Sequence, residues 1–187
     1  MRSLVASGLV RIPDPSLVVL VGAAGSGKTT FAARWFAPEE VLSSDALREV
    51  VSGDAADQRA TRPAFGILHR ALTRRLAAGR LTVIDATNVQ AYARRALLRR
   101  SALAGVPAVA LVFDLPPTLV LARNAVRPER VVPSGIVREQ LQELRRAVRR
   151  DDLAAEGFAS IVVFRDPLDV DAVRIERDPP PDARPSG

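Results

Sequence analysis

The sequence predicts an α/β fold, a parallel sheet with helices on both faces. Three observations predict it. Short runs of Val, Leu and Ile recur at 16–21, 81–84, 109–113 and 161–164, as strands buried on both faces require. Stretches with apolar residues at helical spacing lie between them, as in Phe65, Leu68, Leu72 and Leu76. Strand and helix alternate, so crossovers must return each strand parallel to the last.

Taken in order, 16–21 is a strand bounded by Pro15 and Gly22, and 28–36 a helix closed by Pro38. A short strand at 41–43 leads into a helix over 45–51. The helix over 61–78 stops at Gly79. A third strand at 81–84 precedes a helix over 90–103, which ends near Gly105 and Pro107. The fourth strand is 109–113, followed by a helix over 119–125 that runs into an arginine-rich turn at Pro128. A single long helix over 134–155 and a fifth strand at 161–164 complete the pattern. Residues 1–177 form one domain, and the proline- and charge-rich stretch 178–187 reads as a disordered tail.

The length of 187 residues suits one domain with a real core. Hydrophobic residues at 48% and charged residues at 26% give the balance of a soluble globular protein. The absence of cysteine excludes disulfides and thiolate metal sites. The apolar run within 1–13 is interrupted by Ser7, Gly8 and Arg11, too short and polar for a signal peptide or membrane span. A cytoplasmic protein without a membrane partner is expected. The net charge of +6 suits a polyanionic partner, although arginine is used throughout the chain. Of 27 basic residues only Lys28 is lysine, kept where a flexible point charge must reach a phosphate.

That lysine belongs to the strongest motif. Gly22, Ala23, Ala24, Gly25, Ser26, Gly27, Lys28 and Thr29 match G-x-x-x-x-G-K-[ST] between a buried strand and a helix, the context the motif needs. Backbone N–H groups there point inward at phosphate oxygens, and the following helix, with Thr30 in its first turn, adds its positive end. Lys28 is placed to reach the β- and γ-phosphates of a nucleoside triphosphate, and Thr29 to hold Mg²⁺ or Mn²⁺. The fold is therefore of P-loop NTPase type, and an adenylate-kinase-like phosphotransferase is expected. The motif names the donor and not the acceptor. The chain lacks an N-K-x-D guanine reader and an Asp-Glu pair after an apolar strand, which disfavours a switch GTPase and a hydrolase.

Acceptor chemistry is sought at the carboxyl ends of the other strands. Asp45 and Arg48 follow the second strand three residues apart and share one face of a helical turn. Asp45 can orient and deprotonate a hydroxyl while Arg48 grips an anion; equally, Asp45 can cap its helix and pair with Arg48. Asp85 closes the third strand and is placed to help hold the metal, whereas Thr87 and Asn88 can simply cap the next helix. Arg123, Arg127 and Arg130 suit a closing lid over 123–135 that neutralises the transferred phosphoryl, or are surface arginines in an arginine-rich chain. Arg145, Arg146, Arg149 and Arg150 read as a solvated helix face, and His69 and Trp35 as packing residues.

The run Ser-Leu-Val-Val-Leu-Val-Gly before the loop, Val-Leu-Ser-Ser-Asp with Arg48, Leu-Thr-Val-Ile-Asp-Ala-Thr-Asn-Val-Gln, and Ala-Arg-Asn-Ala-Val-Arg together resemble the bacterial polynucleotide 5′-kinase domain over residues 9–177. In that family the domain is the N-terminal module of an RNA-repair enzyme with phosphatase and ligase parts. The resemblance implies transfer of the γ-phosphate of ATP, or another NTP, to the 5′-OH of single-stranded or frayed RNA or DNA ends, in end healing and repair. It implies Lys28, Thr29 and the lid arginines Arg123 and Arg127 on the nucleotide and metal, and Asp45 as general base. Arg48 then contacts the acceptor phosphate, Asp85 stands near the metal, and Gln58 and Arg130 belong to the acceptor side. Thr29 stands where close relatives carry Ser, and 60–63 departs from the family pattern, the part that bears on acceptor preference. The chain is expected to be a standalone kinase or an excised domain. Two competitors remain: a small-molecule or toxin-type P-loop kinase acting on a sugar or nucleotide sugar, and a non-catalytic NTP-binding repair adaptor.

Overall fold

The computed structural model describes residues 8–54, 59, 61–127 and 131–179. The first half runs Leu9–Pro13 (β1), Leu17–Val21 (β2), Lys28–Trp35 (α1), Val41–Ser43 (β3), Ser44–Ser52 (α2), Thr61–Ala77 (α3) and Thr82–Asp85 (β4). The second runs Ala91–Leu103 (α4), Ala108–Phe113 (β5), Pro117–Ala125 (α5), Ser134–Arg149 (α6) and Asp152–Ala155 (α7), then Ser160–Phe164 (β6), Pro167–Ala172 (α8) and Arg174–Asp178 (β7).

Among the described residues, β3-β4-β2-β5-β6 form one sheet in that order, and every pairing is parallel. All five residues of β2 are buried, because the strand is central and helices cover both faces. Alternate side chains divide between the faces with the period of two that a strand imposes. Val18 and Leu20 join Phe31, Phe113, Val120 and Leu141 on one face. Leu17, Val19 and Val21 join Leu68, Leu72, Leu76 and Leu97 on the other. Phe31, Phe113 and Phe164 pack ring to ring at 5.3–5.7 Å between centroids, fixing α1 on the sheet.

Chain direction and strand order together place the site. Leu20 pairs with Asp85 across β2 and β4, and Ser43 pairs with Asp85 across β3 and β4. With strands about 4.8 Å apart, the loop after β2, the end of β4 and the start of α2 lie side by side. They share the carboxyl edge where the strand order turns over.

Apart from the short helix α8, which was not expected after the strand at 161–164, the elements differ from expectation in three places. β1 and β7 pair in parallel as a separate two-stranded sheet, a pairing that the mixed charges of Arg174–Asp178 hide from periodicity. Asp178 closes that strand, and its carbonyl accepts from the Asp14 N–H at 2.8 Å, so the tail cannot begin there; 180–187 lies outside the described residues. The long helix expected over 134–155 breaks at Asp151, which takes a left-handed φ of 59° between α6 and α7. A turn there folds Leu153 under the sheet, where it is buried; continuous helical spacing carried no sign of it.

Candidate active site

The P-loop follows directly from β2. Gly22 is squeezed between Ser26 and Phe113: a Cβ would stand 2.7 Å from Ser26 Oγ and 3.0 Å from Phe113 Cβ. Gly25 has φ +83°, and a Cβ on it would stand 2.5 Å from the Val120 carbonyl oxygen and 2.9 Å from Asn124 Cβ. The loop therefore rests on α5 with no room for a side chain. Gly25→Ala combines left-handed strain with a backbone clash. We expect a loss of about 2 kcal/mol or more, read as a melting point lower by roughly 5 °C together with weakened nucleotide binding. A variant that melts and binds like the wild type would contradict this packing.

Lys28 is buried and folds back onto its own loop. Its Nζ donates to the carbonyls of Gly22 and Ala23, each at 2.8 Å, and to Ser26 Oγ at 3.3 Å. Burial is the main cause that brings its pKa down to about 8; Asp85 and Asp45 oppose the drop and Arg127 adds to it. The ammonium is thus short of negative charge, the deficit that a phosphate chain would fill. Thr29 Oγ1 donates to Asp85 Oδ2 at 2.8 Å. Burial pushes the Asp85 carboxyl above its usual range, against the pull of Lys28 and the Thr29 hydrogen bond.

Across the cleft, Ser43 and not Asp45 caps α2, its Oγ accepting from the Ala46 N–H at 3.4 Å. The cap alternative for Asp45 is thereby set aside, while the pairing half of it holds. Asp45 and Arg48 form an ion pair, with Arg48 buried and Asp45 partly open. Of the readings left open for Thr87 and Asn88, the capping of the next helix is set aside. The N-cap of α4 is Gln90, which makes no side-chain cap bond. Asn88 instead takes a positive φ of 49° and donates Nδ2 to the Leu20 carbonyl at 2.8 Å. The Thr87 carbonyl accepts from the Gly22 N–H at 2.9 Å. These bonds lock the end of β4 to the start of the P-loop.

One cavity of about 490 Å³ gathers the expected residues. Ala24, Gly25, Gly27, Lys28, Thr29 and Thr30 form one wall, Asp45 and Arg48 another, and Asp85, Arg123 and Arg127 complete it. Gly22, Ala23 and Ser26 are buried in the loop behind. A guanidinium nitrogen of Arg123 lies 3.7 Å from where a Cβ on Gly27 would stand. Gln58 and Arg130 lie outside the described residues.

Sequence reasoning missed the supports. Gln140 of α6 accepts from the Ala24 N–H at 2.9 Å, and no local signal marks it. Asn124, buried, donates to the Val132 carbonyl at 2.7 Å and accepts from the Val132 N–H at 3.2 Å, bridging the two ends of the arginine-rich turn. Arg94 donates to the carbonyls of Asn88 and Val89 at 2.9 and 2.6 Å and grips Glu156 with two bonds of 2.7 and 2.6 Å. Arg145, expected on a solvated face, reaches Asp114 at 3.4 Å, while Arg146, Arg149 and Arg150 are exposed.

A P-loop at the carboxyl edge of a 2-3-1-4-5 main sheet (counting its strands along the chain), faced by a carboxylate–arginine pair and by Arg123 of α5 and Arg127 just after it, defines a kinase-type phosphotransferase. The chain belongs to the AAA domain family AAA_33, whose model matches residues 17–150. No curated protein matches it in sequence. Among solved structures, a chain of the Pnkp1/Rnl/Hen1 RNA repair complex is similar at TM-score 0.63 and 20% identity, covering 74% of this chain and 47% of that one. A chain of the PezAT chromosomal toxin-antitoxin system of Streptococcus pneumoniae is similar at TM-score 0.60 and 17% identity, covering 81% and 67%. At these identities the likeness is one of fold, and this chain spans about half the length of the first. No helix among the described residues is long and apolar enough to cross a membrane.

Proposed function

We propose that the protein is a polynucleotide 5′-kinase that transfers the γ-phosphoryl of ATP, or another NTP, to the 5′-OH end of RNA or DNA. The observation that carries this reading is the shared cleft: the P-loop and the Asp45–Arg48 pair line one space, so donor and acceptor can meet in line. The net charge of +6 and the fold likeness to a chain of an RNA repair complex support a nucleic-acid acceptor. The RNA or DNA end is the partner this assigns, with phosphatase or ligase modules as further partners.

In this reading Asp45, aimed by its ion pair with Arg48, accepts the proton of the 5′-OH as the oxygen attacks the γ-phosphorus. The bond from that phosphorus to the β–γ bridging oxygen breaks, and the nucleoside diphosphate leaves. Lys28 exchanges its loop carbonyls for β- and γ-phosphate oxygens, and Arg123 and Arg127 neutralise the charge on the transferred group. Arg48 holds the acceptor's first phosphate. The hydroxyl of Thr29 and the carboxylate of Asp85 are hard oxygen donors one hydrogen bond apart, a donor set that fits Mg²⁺, which keeps several waters and needs few protein ligands. Bound there, the ion would supply charge neutralisation on the β- and γ-phosphates.

The test is transfer of label from γ-labelled ATP, with Mg²⁺, to a 5′-OH oligonucleotide and, in parallel, to a panel of sugars and nucleotide sugars. Label on the oligonucleotide is the expected result. Label only on a metabolite, with ATP binding intact, would establish the second reading, for which the fold likeness to a chain of a toxin-antitoxin system is the specific observation. A polynucleotide acceptor also carries a salt signature. Its KM should rise roughly 2.5-fold per phosphate contact between 50 and 200 mM salt, from a slope of about −0.7 per contact on single strands. A salt-independent acceptor KM would speak against phosphate grip.

A further inference from the structure

Tyr92, the only tyrosine in the chain, stands in the first turn of α4 with 73% of its surface exposed, and it lines the active-site cleft. Among the described residues its ring pairs with no other aromatic ring. The core does not use it, and the other large rings in the chain are drawn inward. Its place in the fold says which substrate it faces. α4 follows β4, which lies between β2 and the β3 strand that leads to Asp45 and Arg48. The lid arginines Arg123 and Arg127 belong to the opposite side, after β5. Tyr92 is therefore in the acceptor half of the cleft, together with Phe65 of α3, a second aromatic ring in the lining.

We propose that Tyr92 is the platform on which the 5′-terminal nucleobase of the acceptor stacks, so that the site selects an acceptor that carries a base next to its hydroxyl. The inference rests on the polynucleotide reading above and deepens it. A phosphate grip by Arg48 fixes one point of a nucleotide and leaves its sugar free to rotate. A second hold on the base, across the ribose, restricts the 5′-OH to the neighbourhood of Asp45. A π-face suits this task in an enzyme that must accept any terminal base, because every base offers one in return.

The experiment compares two 5′-OH oligonucleotides, one with an intact 5′-terminal nucleotide and one abasic at that position, on wild type, Tyr92→Ala and Tyr92→Phe. Stacking of this kind is worth about ten- to hundredfold in affinity. The wild type should show an acceptor KM at least about tenfold lower for the intact end. Tyr92→Ala should lose that preference while its KM for ATP and its melting temperature stay put, since the side chain is exposed. Tyr92→Phe, which keeps the ring face, should retain it. A Tyr92→Ala protein that still prefers the intact end, or a wild type that labels both ends alike, would overturn the stacking and leave the kinase reading standing. A wild type that labels neither oligonucleotide but does label a metabolite would overturn the polynucleotide reading, and the base as the partner of Tyr92 with it.

Discussion

Asp45→Asn should lower kcat for phosphoryl transfer on the order of 10²- to 10⁴-fold, the contribution of a positioned general base, while ATP binding changes little. Asparagine keeps the size of the side chain and an oxygen to accept from Arg48, so the wall of the cleft survives and only the proton acceptor is lost. Asp45→Ala should reach the same rate floor, with a further loss of stability. The ion pair with Arg48 is then broken, and the buried guanidinium keeps its charge in a site where the carboxylate no longer answers it. The paired measurement separates chemistry from scaffolding: single-turnover transfer gives the first, and ATP affinity with thermal melting gives the second. An Asp45→Asn enzyme that turns over near the wild-type rate would remove Asp45 from the role of base and leave Arg48 as the functional member of the pair.

Arg94→Ala should cost about 3–5 kcal/mol of stability, since it strips the partner from a buried carboxylate. Arg94 is 1% exposed and the Glu156 side chain 5%, and they meet through two bonds across 62 residues of chain. The same guanidinium holds the carbonyls of Asn88 and Val89, so its loss also frees the wall between Asp85 and Tyr92. For a chain of this size the melting point should fall by roughly 10 °C. Arg94→Met with Glu156→Leu should recover part of the loss, because two apolar side chains avoid the stranded charge that the single variant creates. The carbonyls of Asn88 and Val89 remain without their donor, so recovery should be incomplete. A melting point for Arg94→Ala within about 2 °C of the wild type would show that water reaches this pair and that the clamp contributes little.

Arg94 shows why part of the site could not be read along the chain. Its spacing from Leu97, Leu98 and Ser101 puts it on the buried face of its helix, apart from the exposed Arg95 and Arg99, but an arginine on an apolar face carries no mark of the carboxylate that will meet it. Its role depends on Glu156, a residue brought to it only by the break at Asp151. Gln140 is alike: its bond to the Ala24 N–H exists because α6 crosses the loop, and a polar residue on a helix has no sequence mark for such a contact. Asp45 is the intermediate case. Its spacing from Arg48 and its place after a strand were legible, but whether it capped α2 turned on Ser43, two residues earlier, and only the geometry separates those two.

The α/β alternation, the phosphate loop and the strand ends where Asp45 and Asp85 stand are legible along the chain. Each of these is written in contiguous residues, through backbone periodicity or the dihedral demands of glycine, and needs no distant partner to be recognised. The strand order that sets β4 between β2 and β3, the pairing of β1 with β7, the Arg94–Glu156 clamp and the exposure of Tyr92 in the cleft emerge only once the chain is folded. Those depend on contacts between residues far apart in the chain. Their energies arise only when burial brings the partners together and removes the water between them.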